Sequence, residues 1–236
     1  MKQIIHRGTS RGNANLGWLN SYHTFSFAGY HNSSRMHFGV LRVLNDDVVA
    51  PGRGFGAHPH ENMEIISIPL NGALKHNDNT GRSEIINAGD VQIMSAGSGI
   101  THAEMNASAT EPVNFLQIWI FPKVENIQPR YEQKTFILED RKNKWQTIVS
   151  PEKDAEPIWI NQDAWFMLSD LDENKTLQYN LQMKNNGVYL FVLDGEIEIV
   201  GEKLVKRDAI ALTEIGEFDI KASTNAQLLL MEVPMI

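Results

Sequence analysis

Apolar residues recur along this chain in short runs, separated by turns rich in Gly, Asn and Asp. Residues 38–44 form a β-rich run, and the polar Asn45-Asp46-Asp47 after it reads as a turn. Residues 63–70 form the next run, closed by Asn71-Gly72, a strong hairpin signal. Residues 73–77 lead into a turn at 78–81, and residues 83–87 return. Ala88-Gly89-Asp90 then turns into residues 91–94. After residues 121–129, which carry Pro122 and Pro129 and no clear period, the rhythm resumes at 164–168, 175–183 and 188–193. Asp194-Gly195 reads as a second hairpin, into residues 196–200, followed by runs at 209–212, 217–222 and 227–233. Short strands with turns of this kind predict a β-sandwich or small barrel. Only residues 123–126 and 161–163 suggest helix, and each is short.

The two halves share a rhythm. Leu70-Asn71-Gly72-Ala73 followed by Ala88-Gly89-Asp90-Val91 matches Leu193-Asp194-Gly195-Glu196 followed by Arg207-Asp208-Ala209. A repeat with a period of half the chain predicts a duplicated β-barrel. The proline-bearing stretch places the junction, giving domains of 1–130 and 131–236.

Composition narrows the function. A chain of 236 residues with 42% hydrophobic and 21% charged content can bury ordinary globular cores. Its net charge of −8 argues against direct nucleic-acid binding, which depends on neutralising phosphates. No cysteine is present, which excludes disulfides, thiolate ligands and a Cys nucleophile. The first residues lack the apolar core of a signal peptide, and residues 115–121 are far too short to span a membrane. A soluble cytoplasmic protein is the expectation.

The histidines carry the chemistry. All eight lie between His6 and His102. His58-Pro59-His60 and His102-Ala103-Glu104 each place two metal-ligand types at i and i+2, and on a strand that spacing points both side chains to one face. Three imidazoles and a carboxylate converging on one point suit a first-row transition metal. The second half, without histidine, cannot copy this site.

The surrounding residues add a resemblance. Gly52, His58, His60, Glu64 and Gly72, then the stretch from Gly89 to Glu104, resemble the two signature motifs of the cupin superfamily. They depart from it at Ser95, where proline is favoured, in two extra residues before His102, and in Glu104 itself. With those departures, HPHENMEIIS, SAGSGITHAEM and the upstream HTFSFAGY resemble the pirin family of bicupins, among them bacterial pirin-like proteins with quercetin 2,3-dioxygenase activity. The likeness spans nearly the whole chain and is most specific over residues 20–122. It implies an all-β fold of two tandem cupin jelly-roll barrels, the first binding metal and the second not. It implies His58, His60, His102 and Glu104 as ligands of one divalent ion, with Fe(II) the first choice. The ligand types alone equally suit Zn, Mn, Co, Ni or Cu. The implied reaction opens the central ring of a flavonol with O₂ and releases CO, and Glu104 would serve both as ligand and as acceptor of the substrate's hydroxyl proton. The alternatives are a metal- or redox-sensing regulator acting through a protein partner, and a cupin enzyme acting on another enol.

Other residues receive lesser roles. Glu64 stands where many cupins place a ligand, but the pirin pattern uses Glu104. His23 anchors the N-terminal segment, and His6, His31, His37 and His76 are structural or solvated, His37 being nearest the pocket. Gly52, Gly54, Gly56, Ala57, Gly97, Ser98 and Gly99 signal either close backbone approach or turns. Trp159, Trp165, Phe166 and Phe191 are assigned to the core of the second domain.

Overall fold

The structure, a computed structural model, describes residues 1–153 and 155–236. Among them the only helical turns are the 3₁₀ segments Gly8–Ser10 and Leu138–Arg141, so residues 123–126 and 161–163 are not helices. No helix among the described residues is long and apolar enough to cross a membrane.

The strands form two jelly-roll barrels, each a large sheet facing a small one. The first large sheet runs Arg130–Thr135, Asp90–Ser95, Glu64–Asn71, Val113–Ile120, Leu41–Val49, Leu19–His23, Gly12–Asn15. Its small partner runs Gly54–His60, Ile100–Asn106, Ala73–Asp78, Ser83–Asn87. The second barrel repeats the plan, with Thr176–Asn180 and Glu217–Ala222 standing where the histidine-bearing strands stand in the first. The internal repeat is therefore real.

Both Gly turns of that repeat play a different part from the hairpins expected of them. Glu64–Asn71 and Ala73–Asp78 belong to different sheets, and so do Asn186–Asp194 and Glu196–Ile199. Asn71-Gly72 and Asp194-Gly195 are corners where the chain leaves one sheet for the other. Gly72 and Gly195 supply the positive φ (77° and 82°) that the bend requires.

Alternation along the large-sheet strands builds two cores at once. Val188, Leu190 and Val192 enter the second barrel, while Tyr189, Phe191 and Leu193 face the first domain. Period-two alternation with both faces buried explains the continuous apolar runs. The interdomain layer joins Leu41, Ile66 and Ile118 of one sheet to Phe166, Tyr189 and Leu229 of the other. Trp165 lies inside the second barrel, Phe166 and Phe191 lie in the interdomain layer, and Trp159 is half-buried under Arg130 and Lys153. In place of the histidines, the corresponding strands of the second barrel present Tyr179, Phe218, Ile220 and Ala222 to its interior, where Tyr179 donates its hydroxyl to buried Glu232 at 2.7 Å.

Two segments cross between the domains. Lys2–His6 pairs with Ala209–Thr213 at the edge of the second sheet, and Arg130–Thr135 pairs with Asp90–Ser95 in the first. The boundary drawn at 130/131 thus falls at the start of a strand of the first barrel. Asp46 accepts from Arg11 at 3.3 Å and from Arg207 at 2.8 Å, tying the halves through a nearly closed ion-pair cluster. A fragment of residues 1–130 would lose the edge strand and expose the interdomain layer. It is expected to be insoluble or metal-poor on expression; a stable, fully metallated fragment would contradict this.

Candidate metal centre

Residues Asn45-Asp46-Asp47 do not form a turn. They continue the Leu41–Val49 strand and are buried, because Asp46 meets the interdomain arginines while Asn45 and Asp47 face a polar barrel interior. That interior holds the site.

Gly54–His60 and Ile100–Asn106 lie side by side, with His60 opposite Ile100 and His58 opposite His102. Beyond His102 the register shifts, so that Glu104 stands opposite Phe55. The bulge brings Phe55, against Trp18 in the barrel floor, and His58 to the same face at an odd spacing. Of the small residues around the site, Gly54 is the one the site itself requires. A Cβ there would lie 2.5 Å from Met105 Cα and closer still to the Glu104 carbonyl oxygen.

The three imidazoles of His58, His60 and His102 converge, with ring centroids 4.5–5.0 Å apart. His58 Nδ1 lies 2.8 Å from the Gly56 carbonyl, which can only accept, so the proton sits on Nδ1 and Nε2 offers a lone pair. That Nε2 is 3.1 Å from His102 Nε2, and the buried Nε2 of His60 has no hydrogen-bond partner among the described residues. Two nitrogens each about 2.1 Å from one ion at a right angle would stand about 3.0 Å apart. The donor set therefore fits a divalent ion. Burial, followed by its histidine neighbours, pushes His102 down to about 3 and His60 to about 4, so both rings stay neutral and ready to ligate in mildly acidic solution.

Glu104 is fully buried beside this cluster and within 4.8 Å of His102 and His76, measured between ligand atoms. Both carboxylate oxygens carry donors: Ser67 Oγ gives to Oε1 at 2.9 Å and Gln117 Nε2 gives to Oε2 at 2.6 Å. The structure thus clamps Glu104 next to the three imidazoles rather than among them. Burial pushes its carboxyl above the ordinary range against those hydrogen bonds.

The remaining candidates separate clearly. Glu64 occupies the opposite face of its strand from Ser67, in the interdomain layer, where it accepts from Ser95 Oγ at 2.8 Å and from the Asn161 amide at 3.3 Å. His37 is exposed and bonds the Gly39 carbonyl, and His31 is exposed. His6 meets the Tyr189 hydroxyl at 2.7 Å in the interdomain layer. His23 is inside the barrel, packed on Phe27 and Tyr30. His76, expected to be structural or solvated, is fully buried against His102.

Sequence reasoning missed a polar row on the large sheet of the same barrel. His23, Asn45, Gln117, Ser67 and Gln92 stand opposite one another across five strands of the large sheet. Its signal was a polar residue breaking an apolar run, as Ser67 breaks EIISIPLN and Gln117 breaks VNFLQIWI. Asp47 lies on the next rung, opposite Ser21. Burial, moderated by Ser21 and reinforced by Asp46 and Glu104, pushes its carboxyl up to about 7. A carboxyl raised in the folded state costs stability as pH climbs from the unfolded value of 3.8 through 7. Asp47→Asn removes that cost. Its advantage in denaturant unfolding of the metal-free protein should be near zero at pH 4 and about 2–4 kcal/mol at pH 8. A pH-independent difference would show that Asp47 stays ionised.

Comparison with known proteins is consistent with this geometry. Residues 6–120 match a family model described as Pirin, and residues 147–233 match one described as Quercetinase C-terminal cupin domain. The quercetin 2,3-dioxygenase of Escherichia coli strain K12 is 39% identical over 236 residues, covering 98% of this chain and 99% of its own. A pirin-like protein of Caulobacter vibrioides is 40% identical over 222 residues, 94% of this chain and 95% of its own. The crystal structure of a bacterial pirin from Escherichia coli in complex with nickel(II) superposes with a TM-score of 0.94 at 37% identity, covering all of both chains.

Proposed function

The chain belongs to the pirin family, and from that membership we propose that it is a metal-dependent dioxygenase that cleaves quercetin-like flavonols with O₂ and releases CO. The observation that carries the reading is the convergence of three imidazoles, two with Nε2 atoms 3.1 Å apart, beside a clamped carboxylate. His58, His60 and His102 hold the ion, Glu104 completes the set, and Fe(II) is the first choice among metals that suit these ligands. When bound, the ion supplies Lewis-acid polarisation of a substrate hydroxyl and the positions at which substrate and O₂ meet.

The chain's own groups do the rest. Glu104 is the nearest carboxylate to the imidazoles, and its raised affinity for protons suits it to take the proton of an enolic 3-hydroxyl. Ser67 and Gln117 hold it in place and stabilise its charge when it is ionised. Trp119, edge-on to His60 at 5.0 Å and packed on Phe27, walls the site and limits water. The second barrel, filled with apolar side chains, supports the first across the interdomain layer.

Protein reconstituted anaerobically with Fe(II), then given quercetin and O₂, should consume flavonol and release CO in equal amounts. His58→Ala and Glu104→Ala should abolish both. Bound metal without turnover would keep the centre and move the activity to another enol or to sensing.

A further inference from the structure

His76 and Asp78 lie on the Ala73–Asp78 strand beside Ile100–Asn106, where Asp78 stands opposite His102 and His76 opposite Glu104. Their side chains are closed to solvent, at 0% and 1% exposure. His76 Nε2 is 3.1 Å from Asp78 Oδ2, and His76 Nδ1 makes a long contact of 3.5 Å with His102 Nδ1. Tyr131 tilts against the His76 ring with centroids 4.8 Å apart, and Arg82 covers Tyr131 from beyond. The other Asp78 oxygen, Oδ1, accepts from the Thr80 hydroxyl and from the backbone amides of Thr80 and Arg82, so Oδ2 is left to His76.

One proton assignment serves every contact. A His102 that ligates through Nε2 carries its proton on Nδ1, facing His76 Nδ1. His76 Nδ1 must then accept, which puts the His76 proton on Nε2, where it is donated to Asp78. We infer that Asp78 and His76 are positioning residues that fix the tautomer and ring orientation of His102 through two successive hydrogen bonds. The arrangement extends the usual outer support of a ligating imidazole by one further imidazole. The inference rests on the metal-centre reading above.

The test is Co(II) binding by the full-length protein, measured by chelator competition and by the visible spectrum. Wild type should bind one Co(II) per chain; failure there overturns the metal-centre reading itself and the inference with it. With wild type binding, His76→Leu should weaken Co(II) about 10- to 100-fold and shift the spectrum. His76→Asn, whose Oδ1 can accept where Nδ1 did, should recover most of the affinity. Asp78→Ala should reproduce the loss, and decides the matter if His76→Leu does not fold. Wild-type affinity and spectrum in a folded His76→Leu or Asp78→Ala would overturn the inference, as would equal losses in the Leu and Asn variants, which would mean that His76 only fills space.

Discussion

His58→Ala is expected to lose divalent-metal affinity by more than about 100-fold, beyond what loss of an outer support costs, while the metal-free protein unfolds at nearly the wild-type temperature. The separation follows from where the ring sits. His58 is partly exposed and, among the described residues, bonds the Gly56 carbonyl outside the cluster and meets His102 through two Nε2 atoms 3.1 Å apart, so the metal-free fold depends little on its ring. Wild type should therefore gain thermal stability on adding metal, since a ligand bound only by the folded state stabilises it by mass action. His58→Ala should not. Glu104→Ala behaves differently, because it leaves Gln117 Nε2 buried without its acceptor, while Ser67 Oγ keeps Gln117 Oε1 at 2.8 Å. That costs about 1–3 kcal/mol before any metal is added. Thermal unfolding with and without metal reads both effects. A metal-induced rise retained in His58→Ala would remove His58 from the ligand set.

The second large effect is expected at Gly54. A methyl group there would press into the Glu104 carbonyl oxygen and Met105 Cα, so Gly54–His60 would have to part from Ile100–Asn106. These are the two strands that bring His58 and His60 to His102. Gly54→Ala should cost stability by about 1–3 kcal/mol, the usual penalty of overpacking, and weaken metal binding at the same time. Gly56→Ala is the matched control. Gly56 lies two residues along the same strand, with no described residue within 4 Å of where its Cβ would stand and no positive φ. It should leave both properties almost unchanged. Unfolding curves and metal titration of the pair check this, and equal behaviour would refute the close-approach account.

Much of this was legible from residue types alone. HPH and HAE marked side chains that the fold brings close together because i, i+2 spacing on a strand has one geometric meaning, and the repeated Gly corners marked the duplication. The errors share a physical origin. Asn45-Asp46-Asp47 reads as a turn only if polar residues lie outside, whereas this barrel turns them inward toward the site and sideways into the Arg11–Arg207 cluster. Asn71-Gly72 marks a tight bend correctly, but local sequence does not reveal whether the next strand pairs with the last or joins the facing sheet. Glu64 shows the limit of spacing. It stands where many cupins carry a ligand, yet strand alternation points it to the interdomain layer. His76 escaped notice because its partners, Asp78 and His102, come together only through pairing of the Ala73–Asp78 and Ile100–Asn106 strands.

The proposed function stands on one metal ion held by the imidazoles of the first barrel. Diffraction from Fe(II)-loaded crystals, with an anomalous map at the iron edge, tests it most directly. A single peak per chain is expected within about 2.0–2.3 Å of Nε2 of His58, His60 and His102, with a Glu104 oxygen turned toward it. A peak elsewhere, or a metal-loaded chain with these three nitrogens unligated, would contradict it.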